Sequence, residues 1–165
     1  MSAEGHSIEV VRGRLEPEVG EELVRFWSEQ GALSEPAARQ RLAAVVCVLR
    51  DAAGAVAGVN SVYADRVEVV GGRTFWIYRS FLRPDQRDRG PEMIDAAFTA
   101  MDEEFRATGE GPIGLCVLIT DREEMSRRPE AVWPGTSFLY AGYTPAGAQV
   151  RISYFEGATI GPGID

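Results

Sequence analysis

The chain of 165 residues carries 25 acidic side chains against 17 basic ones, for a formal charge of −8, and is 45% hydrophobic and 25% charged. These proportions belong to a packed globular chain rather than a disordered or fibrous one, and the length suits one domain over residues 1–165. The acidic balance gives no general attraction to nucleic acid or to an anionic membrane surface, and a single histidine, His6, argues against a His-rich zinc centre or a Ser-His-Asp triad.

In chain order, residues 8–15 have strand character that Gly13 weakens. Pro17 suits the first turn of a helix, and Val19, Leu23, Phe26 and Trp27 recur at helical spacing as far as Gly31. Ser34 is placed to cap a second helix, with Pro36 in its first turn and Leu42 on its inner side. The β-branched run 43–50 predicts a strand, 51–54 a turn, and 56–70 a strand long enough to need a bulge or bend near Ala64 and Asp65. Gly71-Gly72 signals a hairpin into Arg73–Leu82, which sets Phe75, Ile77 and Phe81 on one face and Trp76, Tyr78 and Leu82 on the other.

The spacing next predicts a helix over 91–106, with an apolar stripe of Ile94, Ala97, Phe98, Met101 and Phe105 and with Asp95, Asp102, Glu103 and Glu104 at other positions. Residues 109–112 break the chain before a buried strand over 113–119. Thr120 and Glu123 read as the capping box of a short helix that Pro129 stops. Glycines and prolines punctuate 131–147, and 149–155 reads as a last strand. The order is that of an α/β (α+β) domain with a mixed sheet: hairpins supply antiparallel pairs, and the helix after Leu82 returns the next strand parallel. Cys47 and Cys116, both in apolar runs, read as buried free thiols rather than a disulfide or metal ligands. The opening MSAEGHSIEV has neither the basic start nor the apolar stretch of a secretory signal, and the apolar run 42–49 is too short to span a bilayer, so a cytoplasmic location is expected.

The most specific local sequence is FLRPDQRDRGPEMIDAAF, residues 81–98. A buried strand ends, an arginine-rich turn follows, and a helix begins, an order that aims free backbone N–H groups and the positive end of a helix at one spot. Arg87 and Arg89 add charge-assisted donors, and Gly90 permits close approach or an unusual backbone angle. On the residues alone, a solvated turn carrying surface arginines is the simpler reading. Neither a Walker motif nor G-x-G-x-x-G is present.

Leu82, Pro84, Arg87 and Gly90 match in register the acyl-coenzyme A turn of the GNAT N-acetyltransferase superfamily, which this segment resembles. There an apolar strand end leads into x-Pro-x-x-Arg-x-x-Gly and a long helix. The order of elements from about residue 8 to 155 is also similar, and Leu139–Tyr143 resembles the family's tyrosine-and-glycine segment before its sixth strand. The resemblance implies a GNAT-like fold, a central, mostly antiparallel sheet flanked by helices with splayed fourth and fifth strands. It implies acetyl-coenzyme A or another acyl-coenzyme A as cofactor, with the pantetheine arm along Ser80, Phe81 and Leu82. The diphosphate would rest on backbone N–H groups across Arg87, Asp88, Arg89, Gly90 and Glu92. The implied reaction moves an acetyl or short acyl group to a small-molecule amine, which requires positioning, a route for the amine proton and stabilisation of a developing oxyanion.

Three positions depart from the family pattern. Glu92 stands where a glycine or alanine is usual and brings a carboxylate near a doubly charged diphosphate. Pro91 has no N–H to offer, although Pro-Glu is an excellent helix start. Phe138 occupies the place of the family's tyrosine acid, leaving Tyr140 two residues on as its substitute or as an aromatic packed over the sheet. Tyr78 and Glu68 are the other candidates for proton transfer, with Asn60, Tyr63 and Asp65 on the third strand as further cleft residues. Trp133, Phe138 and Tyr143 read either as an acceptor pocket or as a core cluster. Two functions stay open: a coenzyme A-dependent N-acyltransferase, or a GNAT-like protein that does not use acetyl-coenzyme A and binds a small ligand or runs other chemistry. A small molecule is the expected partner in either case, and a homodimer is compatible with the strand edges without being read from them.

Overall fold

Most starts and stops of the elements follow from local chemistry in the computed structural model, which describes residues 5–161. Helix α1 (Pro17–Glu29) opens on a proline, where the missing N–H costs no helical bond, and is followed by Gly31 at φ +71°. Helix α2 (Glu35–Arg41) is capped by Ser34, whose Oγ accepts the Ala37 N–H at 3.3 Å. Strand β1 (Ser7–Val10) is shorter than its pattern, and β2 (Val45–Arg50) starts two residues late because Leu42–Ala44 winds into a 3-10 turn. Strand β3 (Val56–Val67) likewise stops before residue 70. Glu68–Val70 forms a second 3-10 turn, and Gly71 and Gly72 follow it at φ +74° and +68°, so the expected tight hairpin is a longer connection.

Strand β4 (Arg73–Leu82) keeps its predicted bounds. Helix α3 (Gly90–Thr108), β5 (Gly114–Ile119), α4 (Arg122–Arg127), β6 (Leu139–Tyr143) and β7 (Gln149–Tyr154) complete the chain. The strands are hydrogen-bonded in the order β1-β2-β3-β4-β5-β7-β6. Every registered pairing is antiparallel except β4–β5, which is parallel and runs over only three residue pairs, ending at Tyr78↔Val117. The result is a mixed fold with a mostly antiparallel sheet flanked by helices.

Two compact units divide the residues: one runs up to Val62 and includes Arg79–Ala100, the other takes Tyr63–Tyr78 and the chain from Met101 onward. The first is built on the inner face of α1, where Leu23, Val24, Phe26 and Trp27 are buried against Ala38, Val45, Val48, Val56 and Val59. Each such side chain taken out of water contributes on the order of 2 kcal/mol before the ordering cost. Gly58 is closely approached: a Cβ there would sit 2.4 Å from Leu82 Cδ2, so a larger residue would displace the end of that side chain. It thereby seats the end of β4. Asn60, expected as a cleft residue, is instead a core pin. It is 1% exposed, its Oδ1 accepts the Cys47 N–H at 2.8 Å and its Nδ2 donates to Met93 O at 2.9 Å. The β2–β3 register shifts between Val45 and Cys47, where this side chain takes the Cys47 N–H. The register shifts in this pairing lie there and between Leu49 and Arg50; the pairing runs over Val56–Ser61 of β3 and does not reach Ala64 and Asp65.

In the second unit Val67, Phe75, Ile77, Cys116, Val150 and Ile152 form the core. Along α3 the fully buried residues are Met93 and, from the predicted stripe, Ala97 and Met101, while Ile94, Phe98 and Phe105 of that stripe are half-buried. Asp102 is buried as well, because its Oδ1 accepts the Glu156 N–H at 2.8 Å and its Oδ2 the Arg106 Nε–H at 3.1 Å. Helix α4 is capped by Asp121, which accepts the Glu123 N–H, and not by Thr120. No helix among the described residues is long and apolar enough to cross a membrane.

Candidate functional site

The turn between β4 and α3 lies wholly in the first unit. The Arg83 N–H donates to Ala57 O at 2.8 Å, and its guanidinium is braced by Asp51 at 2.9 Å and Asp85 at 2.7 Å. The hydrogen bond from Arg83 holds the Asp85 carboxyl at about 2, and Arg83 likewise lowers Asp51. Arg83 is therefore occupied with holding the turn, a role its sequence gives no sign of, because Asp51 lies on another hairpin. Pro84–Arg89 winds into a 3-10 helix interrupted at Gln86 (φ −119°) and passes directly into α3.

Gly90 sits in ordinary right-handed helical backbone (φ −51°, ψ −50°), so no unusual angle demands it. Among the described residues outside its own helix, a Cβ at this position would meet Leu82 Cδ1 alone within 4 Å, at 3.8 Å. The protein itself would accept alanine, and the bare Cα leaves room for something else to come close. Arg87 and Asp88 are exposed, and neither side chain makes a hydrogen bond or ion pair with the described residues. Ser80 is exposed; Phe81 and Leu82 are half-buried, Phe81 with its ring edge-on to Phe26 at 5.8 Å.

Glu92 neither points at an empty cradle nor stands alone. Its Oε1 accepts from Arg89 Nη1 at 2.9 Å, and its Oε2 is 3.2 Å from His6 Nε2. Arg89 first and His6 second hold its carboxyl below the usual glutamate value. Arg89 Nε, by contrast, is buried and donates to no acceptor among the described residues.

An anionic group fits this turn through Arg87 and the Nε of Arg89, both without a partner among the described residues, and through the open Cα of Gly90. The expected row of backbone donors is thinner than the resemblance implies. The Gly90 N–H is spent on Arg87 O, and Pro91 has none.

The remaining candidates lie in the second unit. Tyr78, 8% exposed, is the last registered residue of the parallel ladder, and strand alternation turns it to the face opposite Ile77. Tyr140 is exposed on β6, with its ring 5.8 Å from that of Tyr143 and 5.9 Å from the Arg151 guanidinium. Phe138 is buried against Trp133 at 5.8 Å, so these two form a core pair, whereas Tyr143 is half exposed. Glu68 is exposed and 3.7 Å from Arg66. With Tyr63 and Asp65 it lines a cavity of about 200 Å³, of which neither Tyr78 nor Tyr140 is a wall. Cys116 closes the floor of that cavity as a neutral thiol, burial pushing it up to about 12. Burial likewise raises the other free thiol, Cys47, to about 11.

No family model matches the chain, and no curated protein matches it by sequence. Solved structures do. The ribosomal-protein-S5-alanine acetyltransferase of Vibrio fischeri superimposes with a TM-score of 0.60 at 11% identity, over 97% of this chain and 98% of that one. A GNAT family N-acetyltransferase of Escherichia coli in complex with CoA gives 0.56 at 13% identity over 93% and 86%. A GCN5-related N-acetyltransferase of Kribbella flavida gives 0.54 at 16% identity over 91% and 98%. The strand order, the short parallel β4–β5 ladder and these superpositions agree: the chain has the GNAT acetyltransferase fold.

Proposed function

We propose that the protein is an acyltransferase that takes an acetyl or short acyl group from a coenzyme A thioester and passes it to a small amine. The observation that carries this reading is the β4–α3 turn. Arg87 stands there without a partner among the described residues and Gly90 with an open Cα, both in register with Leu82 and Pro84. Support comes from the fold, which is shared with an Escherichia coli N-acetyltransferase in complex with CoA.

Coenzyme A, when bound, supplies the acyl group as an activated thioester. Arg87 and Arg89 hold the diphosphate charge, helped by the positive end of α3, while Gly90 allows its close approach. Ser80, Phe81 and Leu82 line the path of the pantetheine arm. Transfer would bond the amine nitrogen to the acyl carbon and break the carbon–sulfur bond, so one proton would have to leave the nitrogen and one reach the sulfur. We assign the proton-carrying role to Tyr78, a buried phenol, with Tyr140 and Glu68 as the groups to compare by Tyr→Phe and Glu→Gln exchange.

Calorimetric titration with acetyl-coenzyme A tests the reading. Binding is expected, and Arg87→Ala should weaken it about tenfold, the value of one charge-assisted phosphate bond at an exposed site. No association at millimolar cofactor would remove the reading.

A second reading, ligand binding without acyl transfer, is favoured by one feature: Glu92 already gives Arg89 a negative partner at 2.9 Å.

A further inference from the structure

The cavity of the second unit has a chemistry of its own. Its floor is apolar, made by Val67, Ile77, Leu118 and Val150 with the neutral thiol of Cys116. Its volume of about 200 Å³ holds some six or seven non-hydrogen atoms at water's share of about 30 Å³ each. Charge is confined to the 65–68 segment. Asp65 Oδ1 accepts the Arg66 N–H at 2.8 Å, and its other oxygen has no partner among the described residues. Glu68 is 76% exposed, and its one ion-pair partner is Arg66, at 3.7 Å. The Arg66 guanidinium is drawn over Gly72: Nε donates to Gly72 O at 3.1 Å, and Nη2 lies 2.6 Å from where a Gly72 Cβ would be. Asp65, Arg66 and Glu68 thus all border the apolar pocket, two carboxylates to one guanidinium, and the Nε of that guanidinium is spent on a backbone carbonyl.

We infer that this cavity binds a primary ammonium group on a small apolar body, with the body on the Ile77–Cys116–Leu118 floor and the charge at Asp65 and Glu68. Acceptors with a carboxylate beside the amine, such as free amino acids, are rejected by the same two side chains. That the bound amine is the acyl acceptor rests on the transferase reading; its binding does not.

The test uses the full chain and three probes of one length: hexylamine, hexanol and hexanoate, titrated by calorimetry with and without coenzyme A. Hexylamine is expected to bind about tenfold more tightly than hexanol, with hexanoate weakest, each carboxylate being worth about three- to fivefold. The exposed double variant Asp65→Asn/Glu68→Gln should bring hexylamine down to the level of hexanol. Leu118→Trp, at a position 37% exposed, should block hexylamine and hexanol alike. Hexanoate binding as well as hexylamine, or an amine preference that survives the double variant, overturns the inference. Hexylamine binding in a protein that ignores acetyl-coenzyme A sinks the transferase reading and leaves the cavity; acetyl-coenzyme A binding without hexylamine does the reverse.

Discussion

Glu92→Gln separates the two readings of the β4–α3 turn. The carboxylate is 47% exposed and bonded to Arg89 and His6, so losing its ion pairs costs at most about 1 kcal/mol of stability. Losing a negative charge in the first turn of α3 costs about 0.3–1 kcal/mol more. The variant therefore folds. For a doubly negative ligand at about 8 Å in an effective dielectric of about 40, removing one negative charge is worth about 2 kcal/mol, and physiological salt screens this to roughly a third. Arg89, released from Glu92, adds a charge-assisted bond. Calorimetry with acetyl-coenzyme A should show at least a tenfold gain in affinity, larger at low salt than at high. Unchanged or weaker binding, or a gain indifferent to salt, refutes the idea that Glu92 competes with the diphosphate. A pH series gives an independent check. Arg89 and His6 depress the folded Glu92 carboxyl below 4.5, so its contribution to stability is complete above about pH 4.5 and fades as pH falls through the depressed value. Parent and variant should differ in stability above that point and converge below it.

Two further exchanges probe what positions the sites. Asn60→Ala leaves the buried Cys47 N–H without its acceptor and removes the donor to Met93 O, which should cost about 2–4 kcal/mol in urea unfolding with an unchanged m-value; a loss under 1 kcal/mol would contradict the pinning role. Arg151, 1% exposed, donates to the carbonyls of Glu130, Ala131 and Arg128 and to Gln149 Oε1, and burial and nearby Arg128 push its guanidinium down from its ordinary value. Arg151→Met should speed amide hydrogen exchange across residues 128–133, and Arg151→Lys should not restore it, since an ammonium lacks the planar fork; rescue by lysine would refute the account.

How much the sequence disclosed depends on the range of the force involved. The bounds of β4 were readable because alternation and the flanking Gly71-Gly72 and Pro84 are all local. The inner face of α3 was readable only in part, through Ala97 and Met101. Ile94 and Phe98 repeat at the same interval as Met93, Ala97 and Met101, so the period is fixed while the choice between adjacent rows is left to packing. Asp102 reads as a surface acid until the Glu156 N–H arrives from 54 residues away. Thr120 and Asp121 are both competent caps, and only backbone geometry chose the second. In the turn, Arg87 and Gly90 were visible in one line of sequence. The His6–Glu92 contact spans 86 positions, and Arg83 is held by Asp51 on a different hairpin.

The same reasoning bears on what Glu92 does in the turn. The first turn of α3 presents a positive field that some negative group will satisfy, whether from the protein or from a ligand. With glycine or alanine at position 92 that field would wait for a phosphate; with Glu92 it is met from within, and Arg89 is satisfied by the same carboxylate. A turn already neutral gains less when a diphosphate arrives, so it holds the ligand more weakly and releases it sooner. His6, just ahead of β1 and 3.2 Å from the other Glu92 oxygen, adds to the internal arrangement. If the protein is a transferase, Glu92 lowers cofactor affinity without removing any group that touches the acyl carbon. Turnover at saturating cofactor should then survive Glu92→Gln while the cofactor requirement falls, a separation that a purely structural Glu92 would not produce.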